Sequence, residues 1–420
     1  MKSFLRKTVF YRIYKKSIAK LAVLINWNPS ENIFIIWITW TDWKTTTCNI
    51  LHKIMNDNLW KTLCITTNSI KIWEKEIENN TKMTSFTPFA LQKILYDAKK
   101  QECKYAVLEV SSHWIDQYRF EWIDFDMGVL TNITAEHLDY HETFENYLET
   151  KKKFFKSILI NSKEEKLAVL PKDDKTWRVW YEEIWFDRSV DFWIITNAWI
   201  KAEDINLSYD KTHFNIKYLW HSYQVKTNLP GKFNIYNALA ALSAWIMSWI
   251  WINNIIKSIQ DFLPPSGRME YIPKNDVHFF VDFAHTPNSL ESVLSFLKEL
   301  NEWKNRIICV FWAPGNRDKF KRPEMWKVVE KYSDSFIITD DDPDTENRIN
   351  IINDICKWVS KKLWQDYFII PDRAKAIEFA WEISQSWDII LLAWKWHEQI
   401  QLTNFGKIEW NDKEFVNKLE

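Results

Sequence analysis

The scarcity of glycine places the tightest limit on what this chain can fold into. The 420 residues include 5 glycines and 27 tryptophans, whereas an ordinary protein has about 7% glycine, roughly 29 in this length. Glycine supplies the left-handed backbone of tight turns and lets the main chain approach a ligand closely. The sum of the two residue types is close to the ordinary glycine content. We therefore interpret most tryptophans as glycines whose UGA codons were translated as tryptophan; the alternative is a naturally tryptophan-rich protein.

Composition and charge exclude several classes of protein. Apolar residues make up 46% of the chain, which is enough for two or three domain cores and excludes a disordered linker or a fibrous repeat. The net charge is −1, with 55 basic and 56 acidic residues, and gives no support for a nucleic-acid partner. No apolar stretch approaches the length of a membrane span. Five scattered cysteines without a C-x-x-C pair indicate reduced, buried thiols and a cytoplasmic protein.

The first 30 residues form a separate basic segment. They contain no acidic residue and seven basic ones, namely Lys2, Arg6, Lys7, Arg12, Lys15, Lys16 and Lys20. The apolar run at 21–25 is too short for the core of a signal peptide. We predict a helix that docks on its own domain, and the alternative is contact with an anionic membrane surface.

Apolar runs alternate with longer helical patterns from residue 32 to the end, which is typical of an α/β protein with parallel sheets. The first predicted strands span 32–39, 104–110, 126–131 and 166–170. After a turn-rich break at 263–267, further strands are predicted at 277–282, 306–311, 335–339, 367–370 and 388–393. We therefore predict a basic helical segment (1–30), a central domain with a parallel sheet (31–264) and a smaller doubly wound, Rossmann-like domain (265–420).

A phosphate-binding loop is indicated where the first predicted strand ends. Residues 40–46 read Trp-Thr-Asp-Trp-Lys-Thr-Thr and precede a helical stretch, the place of a P-loop. Bulky side chains at 40 and 43 would keep main-chain N–H groups from converging on a phosphate. Glycine at both positions restores T-G-T-D-G-K-T-T, in which Lys44 would neutralise the β- and γ-phosphates and Thr45 would bind Mg²⁺. The alternative is a strand–helix junction with a surface lysine.

The restored loop resembles the ATP loop of the Mur ligases, the amide-forming synthetases of peptidoglycan precursors. The likeness continues from residue 27 over nearly the whole chain and is greatest to the tripeptide synthetases of that family. Six ordered motifs carry it: E-V-S-S-H-W (109–114), T-N-I-T-A-E-H-L-D-Y-H (131–141), G-R-M-E (267–270), D-F-A-H-T-P (282–287), G-N-R-D-K (315–319) and W-K-W-H-E (394–398). The family usually has glycine at the positions of Trp114, Trp312, Trp326, Trp387, Trp394 and Trp396, whereas we interpret Trp410 as genuine.

The resemblance implies a P-loop ATPase domain and an activity. The enzyme would be an ADP-forming ligase that adds a diamino acid, L-lysine or meso-diaminopimelate, to UDP-N-acetylmuramoyl-L-alanyl-D-glutamate in peptidoglycan precursor synthesis. ATP would activate the carboxylate as an acyl-phosphate, and the amine would then attack it. Phosphoryl transfer depends mainly on positioning and charge neutralisation, so we expect ATP and Mg²⁺ as cofactors and small molecules as partners.

The resemblance also implies the site residues. The catalytic residues would be Lys44, His137 and Lys151. The metal ligands would be Thr45, Glu109, His137 and Lys151, the last carbamylated; without the resemblance, the run 151–153 is a solvated helix face. ATP would contact Thr41, Asp42, Lys44, Thr45, Thr46, Asn234, Asn237, Arg268, Asp282 and His285. The muramoyl dipeptide would contact Thr84, Ser85, Ser111, Gln117 and Arg119. The added amino acid would contact Arg317, Asp342, Asp344, Trp394 and Glu398.

Two departures from the family pattern bear on the substrates. The family's D-N-P-R signature for meso-diaminopimelate is here D-D-P-D at 341–344, and an aspartate in place of the arginine favours a cationic side chain such as that of L-lysine. The chain also begins almost at the ATP loop, without the family's N-terminal domain for uridine diphosphate. Two alternatives remain: a folylpolyglutamate synthase-like ligase, and a non-catalytic pseudo-ligase if the tryptophans are literal.

Overall fold

The structure is a computed structural model. It describes residues 8–39, 44–79, 84, 86–131, 138–159, 161, 163–172, 184, 186–195, 198–246, 251–302, 304–313, 315, 321–339, 346–356, 360–394, 400–403 and 406–419. Two separate sheets organise these residues. All strands of the larger sheet, and the helices that pack on it, lie before residue 261. The smaller sheet begins at Glu270. The predicted boundary at residue 264 lies between them and stays a prediction.

Helix α1 (Val9–Ile25) is the predicted basic segment. One face of the helix is buried through alanine and valine side chains. Lys16 forms an ion pair with Glu121, and the ammonium of Lys20 lies 5.0 Å from the ring centroid of Trp122. These contacts confirm that the helix docks on its own domain.

The larger sheet has eleven strands in the order β11-β10-β9-β8-β7-β6-β1-β5-β2-β3-β4. The strands are β1 (Phe34–Thr39), β2 (Thr62–Ile65), β3 (Ser69–Ile72), β4 (Lys75–Glu78), β5 (Tyr105–Val110), β6 (Met127–Leu130), β7 (Leu167–Pro171), β8 (Arg188–Trp193), β9 (Ile200–Leu207), β10 (Thr212–Tyr218) and β11 (His221–Thr227). The strands from β9 to β2 in this order are mutually parallel. An antiparallel extension at each end completes the sheet.

Helices cover both faces of the parallel strands. Their bounds are α2 (Lys44–Asn58), α3 (Pro88–Lys100), α4 (Ser112–Asp116), α5 (Leu138–His141), α6 (Phe144–Leu159), α7 (Lys232–Ile246) and α8 (Ile252–Gln260). Along β1, Ile36 and Ile38 pack in a core with α2, α7 and α8, whereas Ile35 and Trp37 pack in a second core with α3 and α6. Because successive strand side chains point to opposite faces, an unbroken apolar run such as β1 serves both cores.

The second sheet has six strands in the order β12-β13-β17-β14-β15-β16, with β12 antiparallel to the rest. The strands are β12 (Glu270–Lys274), β13 (Val277–Asp282), β14 (Ile307–Phe311), β15 (Ser335–Ile338), β16 (Tyr367–Ile369) and β17 (Ile389–Ala393). The helices are α9 (Pro287–Leu300), α10 (Lys321–Tyr332), α11 (Arg348–Cys356), α12 (Arg373–Glu382) and α13 (Asp412–Lys418), and a hairpin of β18 (Ile400–Thr403) and β19 (Gly406–Glu409) precedes α13. Apolar cores line both faces of this sheet.

The predicted α/β class, with a parallel sheet in each half, is confirmed. Each of the nine predicted strands corresponds to an observed strand whose ends differ by at most two residues. The prediction, which expected parallel units only, lacked ten described strands. These are the parallel strand β8, the strands β2 and β9 at the two ends of the parallel run, and the antiparallel strands β3, β4, β10–β12, β18 and β19. The five cysteines are free thiols as predicted, and four of them are buried. Among the helices in the described part of the chain, none has the length and apolar character needed to cross a membrane.

Candidate active site

The predicted phosphate loop lies between β1 and α2, and its residues 40–43 are outside the described residues. Strand β1 ends at Thr39, and helix α2 begins at Lys44. Lys44, Thr45 and Thr46 thus form the first turn of a helix, where main-chain N–H groups and the helix dipole favour an anion. Lys44 is half-buried, whereas Thr45 and Thr46 are buried.

Glu109 lies beside this helix end. It is 3% exposed and belongs to β5, where it is in register with Ile38 of the neighbouring β1. The hydroxyl of Thr45 donates to Glu109 Oε2 over 3.0 Å. Thr67 donates its N–H to Oε2 (3.0 Å) and its hydroxyl to Oε1 (3.1 Å). The structure therefore brings together two predicted metal ligands, a hydroxyl and a carboxylate, at the carboxyl edge of the parallel sheet.

Helix α7 packs on the other side of α2 and carries two predicted ATP contacts. Asn237 accepts a hydrogen bond from the hydroxyl of Thr47 (3.1 Å) and donates to Asn234 Oδ1 (2.9 Å). Asn234 in turn donates to the main-chain oxygen of Pro230 over 2.7 Å. Both asparagines are buried, so this chain of hydrogen bonds fixes α7 against the helix that follows the phosphate loop.

Lys151 is enclosed in the protein. Its side chain on α6 is fully buried, and Nζ lies 4.5 Å from the ring centroid of Tyr147. Lys152 is also buried, while Lys153 is exposed. The interpretation of residues 151–153 as a solvated helix face is therefore wrong for its first two members. The amphipathic helix turns that side toward α4 and the core.

A buried histidine lies between α4 and α6. The ring nitrogen Nε2 of His141 is 2.9 Å from the hydroxyl of Ser112, and the rings of His141 and Tyr147 are 5.4 Å apart. Burial, followed by the charges of nearby His113 and Lys151, lowers the pKa of His141 to about 4. The imidazole is therefore neutral at pH 7 and acts as a hydrogen-bonding group between the two helices.

The predicted muramoyl-dipeptide contacts gather around α4. Ser111 is the N-cap residue of this helix, and Gln117 and Arg119 follow its end. The Arg119 Nε and Nη2 groups donate to Gln117 Oε1 (3.0 and 2.6 Å). The hydroxyl of Thr84 is 2.7 Å from that of Thr67. Thr84 is thereby linked through Thr67 to Glu109, and a predicted substrate residue adjoins a predicted metal ligand.

A second cluster forms at the carboxyl edge of the smaller sheet. Asp282, the last residue of β13, accepts a hydrogen bond from the Met269 N–H over 2.8 Å, and its main-chain oxygen accepts one from Trp394. The rings of His285 and Trp394 are 5.2 Å apart. The guanidinium of Arg268 lies 5.1 Å from the ring centroid of Phe283. The structure thus gathers Arg268, Asp282, His285 and Trp394, and ligands of open α/β sheets bind at such an edge.

Eight predicted site residues lie outside the described residues: Thr41, Asp42, Ser85, His137, Arg317, Asp342, Asp344 and Glu398. Conversely, the sequence analysis missed Thr67, which binds both oxygens of Glu109. Its position two residues after a short apolar strand, β2, was an available signal, because carboxyl ends of parallel strands share one edge. His141 was quoted within a motif without a role, and its burial between two helices is visible only in three dimensions.

Comparison with known proteins decides the family. The family model of the Mur ligase middle domain matches residues 38–245, and that of the Mur ligase glutamate ligase domain matches residues 267–393. The UDP-N-acetylmuramyl-tripeptide synthetase 2 of Oceanobacillus iheyensis is 35% identical over 399 residues, covering 94% of this chain and 80% of the relative. The chain belongs to the Mur ligase family.

Further relatives and solved structures are similar to this Mur ligase over most of its length. A UDP-N-acetylmuramoyl-L-alanyl-D-glutamate--2,6-diaminopimelate ligase of Clostridium acetobutylicum is 34% identical, covering 96% of this chain and 81% of the relative. The solved structure of another ligase of that name is 28% identical with a TM-score of 0.63, covering 92% of this chain and 77% of that one. Folylpolyglutamate synthase of Mycobacterium tuberculosis shares the fold alone, at 14% identity and a TM-score of 0.73, covering 90% of this chain and 92% of that one.

Proposed function

We propose that this Mur ligase is an acid–amino-acid ligase that adds a diamino acid to UDP-N-acetylmuramoyl-L-alanyl-D-glutamate with consumption of ATP. One observation carries the proposal: the contact of Thr45 with Glu109 directly after Lys44, at the start of a helix that follows a parallel strand. The names of the relatives, a tripeptide synthetase and diaminopimelate ligases, supply the substrate class. The added amino acid is L-lysine or meso-diaminopimelate, and the aspartates at 342 and 344 favour the more cationic of the two.

The residues fit the reaction. The terminal carboxylate of the dipeptide takes the γ-phosphoryl group of ATP and becomes an acyl-phosphate, with ADP released. The amine then attacks the acyl carbon, loses a proton and expels phosphate. Lys44, at the start of α2, stabilises the negative charge of the transferring group, and the first-turn N–H groups orient the phosphates. Arg268, Asp282 and His285 form the nucleotide-binding group of the second domain.

The donor set at the larger sheet fits Mg²⁺. A threonine hydroxyl and a carboxylate are hard oxygen ligands, which Mg²⁺ prefers, and the 3.0 Å contact already holds the two together. We propose Thr45, Glu109, His137 and a carbamylated Lys151 as the metal site, and bound Mg²⁺ would neutralise phosphate charge. Carbamylation of the Lys151 ammonium joins its nitrogen to the carbon of CO₂ and releases two protons, which converts a cation into a carboxylate-like ligand.

The proposed activity requires glycine at 40 and 43, and the described backbone supports this recoding elsewhere. In the described part of the chain, six of the sixteen non-glycine residues with positive φ are tryptophans. A bulky side chain in this region is a genuine outlier, whereas glycine adopts it freely. The six are Trp27 (58°), Trp73 (56°), Trp122 (69°), Trp364 (63°), Trp387 (73°) and Trp394 (81°).

The places of these tryptophans are typical of glycine. Trp27 follows the Asn26 C-cap of α1, where a left-handed glycine commonly ends a helix. Trp73 lies in the two-residue loop between β3 and β4, where turn types with positive φ are favoured. We propose that the natural protein has glycine at the six positions and tryptophan at 410.

The described tryptophans differ in whether the indole N–H has a hydrogen-bond partner: Trp60 donates to the main-chain oxygen of Glu102 over 3.0 Å, and Trp410 also has a partner. The Trp410 Nε1–H donates to Asp412 Oδ1 over 2.7 Å, as a buried indole ordinarily does. Among the described residues, the buried Nε1 atoms of Trp37, Trp114, Trp245 and Trp326 have no hydrogen-bond partner, a costly arrangement. UGA codons at 40, 43, 394 and 396 are therefore expected in the gene. UGG codons there would contradict the recoding and favour the pseudo-ligase.

Purified protein with glycine at the UGA-encoded positions tests the function. We expect phosphate release only when ATP, the muramoyl dipeptide and a diamino acid are all present, and parallel assays with L-lysine and meso-diaminopimelate identify the amino acid. Lys44→Ala is expected to lower turnover by about 100-fold or more. Phosphate release with a folate and not with the muramoyl dipeptide would overturn the substrate assignment. Full turnover of Lys44→Ala would overturn the ATP site. A cytoplasmic location, which the reduced cysteines favour, is part of this proposal.

A further inference from the structure

Tyr140 connects two segments that the proposed function treats separately. It lies on α5, which directly follows the segment that contains His137. Its hydroxyl donates to Asp116 Oδ2 over 2.8 Å and accepts from Gln117 Nε2 over 3.4 Å. Its ring lies 4.1 Å from that of His113 on α4. The phenol therefore fixes α5 to the end of α4, where the proposed substrate contacts Gln117 and Arg119 lie.

The hydrogen bonds continue from Tyr140 to the guanidinium of Arg119. Gln117 Oε1 accepts from both Nε and Nη2 of Arg119, and Arg119 Nη1 donates to the main-chain oxygen of Phe86 over 3.1 Å. Held on two edges, the planar guanidinium has a set orientation. Such a group recognises a carboxylate or phosphate through its geometry as well as its charge.

The turn that carries these side chains is strained. Tyr118, between Gln117 and Arg119, has φ 54°, a conformation that costs a non-glycine residue about 1 kcal/mol or more. The main-chain N–H groups of Gln117 and Arg119 bond back to His113 and Trp114 of α4. In this strained turn the side chains of Gln117 and Arg119 contact each other. The hydrogen bond from Tyr140 to Asp116 connects the start of the turn to α5.

We propose that Tyr140 is a positioning residue for the muramoyl-dipeptide substrate: through Asp116 and Gln117 it holds the Arg119 guanidinium in the orientation that binds an anionic group of this substrate. The inference rests on the proposed function and deepens it.

Tyr140→Phe in the glycine-recoded protein tests the proposal, because it removes the hydroxyl and leaves the ring. Loss of hydrogen bonds of this kind weakens an interaction by about 1 kcal/mol, or roughly five- to tenfold in affinity. We expect the Kd of UDP-N-acetylmuramoyl-L-alanyl-D-glutamate, measured by titration calorimetry, and its KM to rise by that factor. The Kd of ATP and kcat at saturating substrate should stay unchanged. Tyr332→Phe, which removes a hydroxyl contact to Glu291 near the second sheet, is the matched control.

A double-variant cycle separates positioning from general structural support. If Tyr140 acts through Arg119, Tyr140→Phe should add little to the loss already caused by Arg119→Lys, because residues acting as one unit are not additive. Full additivity, or equal losses of dipeptide and ATP affinity, would overturn the role of Tyr140, as would unchanged dipeptide affinity in Tyr140→Phe. If the parent protein bound ATP but no muramoyl dipeptide, the proposed function and the role of Tyr140 would both be overturned. Thermal unfolding of each variant verifies that it is folded.

Discussion

Arg322 and Glu346 form a bidentate ion pair in the interior of the second half of the chain. Arg322 Nη1 and Nη2 donate to Glu346 Oε1 and Oε2 over 3.1 and 2.8 Å, and Nη1 also donates to Asp354 over 2.9 Å. The arginine side chain is fully buried. Arg322 follows the segment that contains Arg317, and Glu346 follows the segment that contains Asp342 and Asp344. The ion pair therefore joins two residues that lie next in sequence to the segments with the proposed amino-acid contacts, and those segments are outside the described residues.

Glu346→Gln is expected to lower the free energy of unfolding by about 3–5 kcal/mol, because it leaves a buried guanidinium incompletely compensated. It should also raise the KM for the diamino acid if the proposed contacts Arg317, Asp342 and Asp344, which lie close in sequence to this ion pair, bind that substrate. Urea denaturation and steady-state kinetics measure the two effects. Glu165→Gln is the control: its contact with Arg188 is 3.6 Å long with both side chains exposed, so its effect should stay below about 1 kcal/mol. Equal effects of the two substitutions would contradict the prediction.

Thr45→Val tests the role of the Thr45 hydroxyl, because it removes this group and leaves a side chain of the same size. Valine keeps the volume and removes the group that donates to Glu109, so the proposed Mg²⁺ site loses a ligand and turnover should fall by about 100-fold. Thr45→Ser retains the hydroxyl and should stay within a few-fold of the parent. The Mg²⁺ concentration for half-maximal activity should rise in Thr45→Val. An unchanged Mg²⁺ dependence would remove Thr45 from the metal site.

Carbamylation of Lys151 is open to direct detection. In the presence of ¹³C-bicarbonate, the glycine-recoded protein is expected to give a carbamate carbon resonance, which Lys151→Gln abolishes together with activity. Lys152→Gln is the matched control, because Lys152 is the next residue, is also buried and faces Glu149 at 3.8 Å. A resonance that survives Lys151→Gln, or that disappears in Lys152→Gln, would assign the modification to another lysine or exclude it.

The tryptophans with positive φ predict that glycine and alanine substitutions differ in stability in a way that depends on position. At Trp364, glycine should be more stable than alanine by about 1 kcal/mol, because alanine retains the Cβ that disfavours positive φ. At Trp381, in the last turn of α12, the order should reverse by up to about the same amount, since glycine disfavours helical backbone. Each pair of variants loses the same indole, so the difference reports the backbone alone. Chemical denaturation measures it, and the same order at both positions would refute the conformational argument.

Two buried histidines predict loss of stability in mild acid. Burial is the largest cause that lowers the pKa of His52 to about 4 and that of His141 to about 4, while the unfolded chain titrates near 6.5. The unfolded state thus binds more protons between these values. The free energy of unfolding should fall by about 1.4 kcal/mol per pH unit for each histidine as pH drops from about 6.5 to about 4.

Replacing either histidine isolates its share of this loss. The free energy of unfolding of His52→Gln and of His141→Gln should depend less steeply on pH than that of the parent. The slope should be smaller by about 1.4 kcal/mol per pH unit in each variant. His213→Gln, at an exposed position of β10, serves as the control for removing a histidine that is not buried. Parallel profiles for the parent and both buried-site variants would show that other groups cause the acid sensitivity.

The strands that sequence analysis located share one property. In β1, β5 and β17, consecutive apolar residues are buried on both faces, and such runs between helical patterns are recognisable locally. Strands β9–β11 were missed although β10 alternates buried Phe214 and Ile216 with exposed His213 and Lys217. Such alternation indicates a half-exposed antiparallel sheet, which the expectation of parallel units did not include.

Local patterns along the chain were sufficient to locate the nine predicted strands and the change from strand to helix between Thr39 and Lys44, because such elements depend on neighbouring residues. The metal-binding role of Glu109 and the glycine positions came from the family resemblance and stay predictions. Folding alone placed Thr67 on Glu109, 42 residues away, and Thr47 on Asn237, 190 residues away. It likewise buried Lys151 and joined Tyr140 to Asp116. The reason is that such contacts depend on the order of strands in the sheet and on which helix faces meet, and neither is encoded in the spacing of residues along one segment.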